Sequence, residues 1–209
     1  QTGFLLLGDG STEKIVNTNR SWKVFHDTAY IPCARNMSAL LHTYMVIGPG
    51  DEVHGNVYPW GWEQVSYNDN DWMNAKTVNA SAVPFGYGSD NVWTLTPSSI
   101  PPMEEKLQRL AVIRRSENIQ VKDTFIHANQ PMIIPAHSSV SILLDQSFET
   151  TAYPELIVSK GENAEIKMTY SEALTDNKNQ KGNRNDIAGK TIKGLFDIFY
   201  HDGGNQRTF

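Results

Sequence analysis

Tyr153-Pro154-Glu155-Leu156-Ile157-Val158-Ser159-Lys160-Gly161-Glu162-Asn163-Ala164-Glu165-Ile166-Lys167-Met168-Thr169-Tyr170-Ser171-Glu172-Ala173-Leu174 is the stretch that decides the fold. Leu156 and Val158 alternate with Ile157 and Ser159, and Ile166, Met168 and Tyr170 alternate with Lys167, Thr169 and Ser171, the period of two that a strand requires. Lys160-Gly161-Glu162-Asn163 between them reads as a turn, so the stretch predicts a β-hairpin.

The rest of the chain has the same character: short apolar runs punctuated by turn residues, with few helical signals. Strands are expected at Gly3–Leu7, Trp22–His26, Leu110–Arg114, Gln120–Ile126, Pro131–Pro135, Val140–Leu144 and Ile192–Tyr200, the last turning at His201-Asp202-Gly203-Gly204-Asn205. Asn36–Ile47 mixes helical spacing at Met37, Leu40, Leu41 and Tyr44 with a strand-like end, and predicts at most a short helical turn. Pro97, Pro101 and Pro102 remove ladder donors and hold the backbone extended, which marks a connector. The expected class is all-β: two successive antiparallel, jelly-roll-like β-sandwiches, residues 1–98 and 99–209. Thr175–Lys190, with three lysines and four asparagines, reads as a long solvated loop.

The 209 residues are 39% hydrophobic and 20% charged, which suits packed cores rather than a disordered chain. A formal net charge of -5 argues against nucleic acid or an anionic membrane as partner, and no run of 18 apolar residues is present. Cys33 is the one cysteine, so no internal disulfide forms. Asn-X-Ser triplets at Asn19, Asn36 and Asn79 matter only in a glycosylating host.

Candidate chemistry is sparse. Glu104-Glu105 are adjacent, so on an extended chain they point in opposite directions, unlike the facing acids of a glycosidase; Glu155, Glu165 and Glu172 have no matched partner in the pattern. The six histidines, His26, His42, His54, His127, His137 and His201, follow no zinc spacing. No cofactor is expected. Asp69-Asn70-Asp71 opens like a calcium loop, but Asn74 and Ala80 occupy its sixth and twelfth positions; a calcium site of another kind and a plain Asx turn both stay open. Gly86-Tyr87-Gly88 lacks the third glycine of a dinucleotide loop. Tyr58, Trp60 and Trp62 occur at alternate positions and on a strand would share one face, a platform for a sugar ring; the competing reading places the tryptophans in a small core.

Several blocks also carry a resemblance. The 153–174 stretch, Ile100-Pro101-Pro102-Met103-Glu104-Glu105 and Lys181-Gly182-Asn183-Arg184 resemble the β-sandwich region ahead of the catalytic barrel in bacterial α-L-rhamnosidases of glycoside hydrolase family 78. Asn19-Arg20-Ser21-Trp22-Lys23 and Tyr58-Pro59-Trp60-Gly61-Trp62-Glu63, with Asp69-Asn70-Asp71-Trp72 and Ala75, are similar to that family's amino-terminal jelly roll. The resemblance implies a parent enzyme, periplasmic or secreted, that removes terminal α-L-rhamnose with inversion through acids in a downstream (α/α)6 barrel. It assigns no catalytic residue to this chain and implies an accessory fragment that is inactive alone, partnered by its own barrel, with a first sandwich that is incomplete. A self-sufficient module binding rhamnose-containing carbohydrate is the alternative, and a small intact glycosidase the third reading. In the accessory reading, the 175–190 loop and the strand ending at Phe209 are expected to face the barrel, with the loop mobile.

Overall fold

A computed structural model describes residues 3–8, 10–33, 48–78, 98–128 and 130–209. Among them the chain is β-rich, with helix confined to a 3-10 turn at Glu13–Val16 and a single α-turn, α1 (Thr124–His127). It divides into two compact units: residues 1–27 with 59–105, and residues 28–58 with 106–209. The segment 36–47, the glycines at 86 and 88, Trp93 and the triplets at Asn36 and Asn79 lie outside the described residues.

The first unit pairs β1 (Lys23–Val24) with β4 (Met73–Asn74) antiparallel. Gly3–Leu7 takes no strand pairing; Phe4, Leu5, Leu6 and Leu7 are exposed, and Leu6 is tied to Thr18 through backbone and hydroxyl bonds. The indole of Trp22 donates to the Asn17 carbonyl at 3.1 Å and lies 5.8 Å from the Phe4 ring.

The second unit is built on a four-stranded sheet of β2 (Tyr30–Pro32), β3 (Asp51–His54), β9 (Phe196–Tyr200) and β8 (Glu165–Thr169), in that spatial order. β2–β3 and β8–β9 are antiparallel but β3–β9 is parallel, with Val53 beside Phe199 and His54 beside Tyr200. The sheet is therefore mixed, not purely antiparallel. That parallel pairing also places residues 28–58 with the carboxy-terminal unit, whereas the sequence groups them with the first 98 residues.

β9 has apolar side chains on both faces, as expected of an interior strand. Phe196 and Ile198 pack with Cys33 on one face; Phe199, fully buried, lies on the other and stacks on Phe209 at 4.9 Å. Burial of one such phenylalanine stabilises by about 1.5–3 kcal/mol. Asp197 joins the neighbours: one carboxylate oxygen accepts from the Asp51 amide at 2.8 Å and the other from the Tyr170 hydroxyl at 2.7 Å. Two glycines admit this close approach, since a Cβ on Gly50 would strike the Phe196 carbonyl and one on Gly194 the Tyr170 carbonyl.

The expected hairpin within 153–174 is corrected. β8 and β7 (Ile157–Val158) occur where the alternation puts them, but they do not pair with each other: β7 pairs with β10 (Arg207–Thr208) and β8 with β9. Lys160, Gly161 and Asn163 all have positive φ, yet the chain does not reverse there. Lys160 donates instead to Gly204, and Asn163 to His201, so 156–169 runs antiparallel to 196–209 with the same register before and after matched turns. The true hairpin is β8 to β9, continued by Tyr170 bonded to Leu195 and by the Thr175–Thr191 bridge.

Residues 176–190 form the tip of that hairpin and carry their own supports. Asp176 caps the turn by accepting from the amides of Lys178 and Gln180 at 2.8 and 2.9 Å. β5 (Val112–Glu117) and β6 (Ser141–Asp145) pair antiparallel with a bulge between Ile113 and Arg115. From β5, Arg114 donates to the Asn185 carbonyl at 2.7 Å and Arg115 to the Lys190 carbonyl at 3.2 Å. The loop is polar as read, but braced by these arginines. Gln120–Ile126 ends in α1 instead of a strand, and Pro131–Pro135 pairs with nothing regular; the prolines at 131 and 135 lack the donors a ladder needs.

Replacing Gly194 by alanine is expected to lower stability by about 1–3 kcal/mol through backbone displacement. Gly48→Ala, whose added methyl meets nothing within 4 Å, is expected to stay within about 0.5 kcal/mol of the parent. Urea unfolding monitored by far-ultraviolet circular dichroism, which reports the strands of the second unit, measures both.

Candidate functional site

In the first unit the aromatic residues gather around a different set from the one their spacing suggests. Residues 55–66 form successive turns rather than a strand, so alternation does not place Tyr58, Trp60 and Trp62 on a common face. Tyr58 belongs to the second unit, where its ring meets Tyr30 edge-on at 6.0 Å; Trp60 and Trp62 belong to the first, with Trp62 exposed. The physical reason is Pro59 beside Gly61, which has φ of 84° and breaks an extended run.

Phe25, just past β1, stacks on Trp72, just before β4, at 5.2 Å and 21°; Tyr67 meets the same indole edge-on at 5.6 Å. Pairing of β1 with β4 brings these distant residues together, and Lys23 Nζ donates to the Trp72 carbonyl at 3.3 Å. Phe25 is exposed while Trp72 and Tyr67 are half-buried, so the group is an aromatic patch with one open side. The Asp69-Asn70-Asp71 turn that leads into it holds an Asx-type bond from the Asn70 amide to Asn68 and a bond from the Trp72 amide to the Asp69 carbonyl. No three His, Cys, Asp or Glu side chains among the described residues converge as a metal site would need.

The second unit carries a polar row across three strands. Glu52 Oε1 lies 2.9 Å from His54 Nε2, the His54 ring stacks on Tyr200 at 4.9 Å, and the Tyr200 hydroxyl lies 3.4 Å from Glu165 Oε2. The register explains the row: His54, Tyr200 and Glu165 sit side by side, and Glu52 is two residues along β3 on the same face. With strands about 4.8 Å apart and a rise of about 3.3 Å per residue, the Glu52 and Glu165 backbones are about 12 Å apart. Each side chain has a neighbour in the row as its partner, rather than the other carboxylate across an open gap.

Four further acids of the second unit, Asp145, Glu172, Asp186 and Asp202, are engaged as braces. Ser147's amide, against the opposing effect of burial and with help from Arg114, holds the Asp145 carboxyl below the usual range; Arg184 adds a longer contact at 3.6 Å. Lys181 holds Glu172 low, Lys190 and the Ala188 amide hold Asp186 low, and Arg207 with the Gly204 amide holds Asp202 low against burial. Arg207 reaches Asp202 by two nitrogens, the shorter contact 2.7 Å. Tyr170 is shifted the other way, its phenol pKa pushed up by burial and by the Asp197 carboxylate it donates to. Glu104 and Glu105 are exposed on the connector.

Comparison with protein-family models, with curated proteins and with solved structures finds no match to this chain.

Because Asp145 titrates lower folded than unfolded, its contribution is complete above the ordinary aspartate range and disappears as pH falls through the folded value. Asp145→Asn is expected to cost about 0.5–1 kcal/mol near neutral pH after screening by solvent. The gap to the parent should close as pH falls from about 5 to about 2, the window of carboxylate protonation. Urea midpoints at several pH values measure it, and a gap constant with pH would contradict the ion-pair account.

Proposed function

We propose that these residues form a non-catalytic, β-rich supporting part of an α-L-rhamnosidase, made of two β-sandwich units, the first jelly-roll-like, that carry and orient an (α/α)6 barrel. The reading rests on the Ile100–Glu105, Tyr153–Leu174 and Lys181–Arg184 blocks. The structural observation that carries it is the condition of the acids. Hydrolysis of a glycosidic bond needs one carboxyl kept protonated by its surroundings and a second facing it across the bond. Asp145, Glu172, Asp186 and Asp202 are instead held ionised by amides and cations that fasten turns and loops. Such acids stabilise a scaffold and offer no proton to a leaving group. In this reading the parent removes terminal α-L-rhamnose with inversion, in the periplasm or outside the cell, and the catalytic acids reside in the barrel.

A second reading, an independent module for rhamnose-containing carbohydrate, is favoured by the Phe25, Tyr67 and Trp72 patch, whose ring faces suit the C–H face of a sugar.

Purified chain is expected to release no rhamnose from an aryl α-L-rhamnoside, and the reading frame that encodes it to run on into an (α/α)6 barrel. Measurable release, or a stop codon directly after position 209, overturns the supporting role. Calorimetric titration with L-rhamnose and rhamnose-containing oligosaccharides separates the two readings. The scaffold gives no saturable heat. The module gives saturable binding that falls at least about tenfold in Trp72→Ala if the patch is the platform, or in the Trp60→Ala, Trp62→Ala pair if those residues are.

A further inference from the structure

His201, the residue after β9, is buried, its side chain only 1% exposed. The Gly203 amide donates to its Nδ1 at 2.7 Å, so Nδ1 holds a lone pair and the neutral ring keeps its hydrogen on Nε2. Nε2 has no hydrogen-bond partner among the described residues. A buried donor without an acceptor is destabilising, so the tautomer is set by the Nδ1 bond and not by Nε2.

Nδ1 closes the turn between β9 and β10. Within residues 201–206, the Gly203 amide is held by the imidazole and the Gly204 amide by Asp202 Oδ1 at 3.0 Å. On the opposing turn, Lys160 donates to the Gly204 carbonyl, and Ser159 Oγ accepts from the Gln206 amide, both at 2.8 Å. Beyond the turn, β10 and Phe209 lie against β7 and Phe199.

The charged groups around the ring come from three segments. Asp202 on its own turn has Oδ1 3.7 Å from Nδ1, and Arg207 on β10 binds the same carboxylate. From the turn between β7 and β8 come Glu162, whose Cβ is 3.0 Å from where a Gly203 Cβ would stand, and Lys160. Glu165 on β8 is directed to the Tyr200 hydroxyl. The Phe199 ring lies edge-on to the imidazole at 5.6 Å.

We infer that His201 is a proton-operated catch on this turn: a proton taken from solvent onto Nδ1 displaces the Gly203 amide and turns the ring's new N–H to Asp202. The proton occupies the lone pair that the Gly203 amide uses, and two donors cannot share it. Asp202 is the acceptor within reach, and accepting from the imidazolium divides a carboxylate that Arg207 otherwise holds. The Gly203 amide is left without its acceptor, and the turn anchoring β10 and Phe209 loosens. The consequence is acid-dependent opening of the edge covering Phe199, whatever enzyme the chain serves.

The test is nuclear magnetic resonance on the full 209-residue chain between about pH 8 and about pH 5, the span in which imidazoles take up a proton. Ring nitrogen shifts of His201 should report the Nε2–H tautomer at the upper end. The Gly203 amide shift should move with the ring at one shared midpoint, and its protection from exchange, corrected for the intrinsic rate, should fall roughly tenfold, as for one lost hydrogen bond. In His201→Asn, whose Oδ1 retains an acceptor near Nδ1 but takes up no proton in this range, the Gly203 amide should stay in place. A proton on Nδ1 at pH near 8, a ring that does not titrate, a Gly203 amide with a different midpoint, or equal movement in His201→Asn each overturns the catch. If His201→Asn does not fold, the tautomer and the paired midpoints of the parent chain decide alone.

Discussion

Parallel pairing of β3 with β9 is the constraint on which the second unit depends. It brings residues 52–54 beside residues 198–200, separated in sequence by the greater part of the chain, and gives β9 a neighbour on each edge. Both faces of β9 are consequently covered, with Phe196 and Ile198 on one and Phe199 on the other. Backbone spacing leaves no room for a side chain at Gly50 or Gly194, and Asp197 satisfies the Asp51 amide and the Tyr170 hydroxyl at once. Remove this strand and no other described element holds β2, β3 and β8 in one sheet.

From β9 the chain extends the same order in both directions. Toward its start, β8 and β9 continue into a long hairpin whose polar tip is held by arginines of β5; toward its end, matched turns carry the register through to β7 and β10. Charged residues here act chiefly as fasteners. Arg114 binds both Asp145 and the Asn185 carbonyl, and Arg207 clamps Asp202 at the base of the terminal turn. An acid fastened in this way is stabilised as the anion, which suits holding a loop and opposes donating a proton. Beside these fastened groups, the buried Nε2 of His201, which has no hydrogen-bond partner among the described residues, is conspicuous.

Legibility differed by the range of the interaction. Alternation in 156–158 and 165–170 located β7 and β8, and the run at 140–144 located β6, because the two faces of a strand meet different solvents and the pattern records it locally. The 160–163 turn is not decided locally, because positive-φ residues with glycine serve a kink as well as a reversal; only the partner strand distinguishes them. The aromatic patch escaped for a related reason: Phe25 and Trp72 meet only because β1 and β4 pair, while evenly spaced Tyr58, Trp60 and Trp62 fall in turns around Pro59.

By itself the sequence determined the β-rich class, the position of most strands of the second unit and the polar tip at 176–190, since all of these are encoded in neighbouring residues. Tertiary structure alone decided which strands pair, that residues 28–58 join the carboxy-terminal unit, and that Glu52, His54, Tyr200 and Glu165 form one row. The reason is that strand pairing is made by backbone groups every residue possesses. Their partner is selected by the summed burial of both faces, and that sum exists only once distant segments have met.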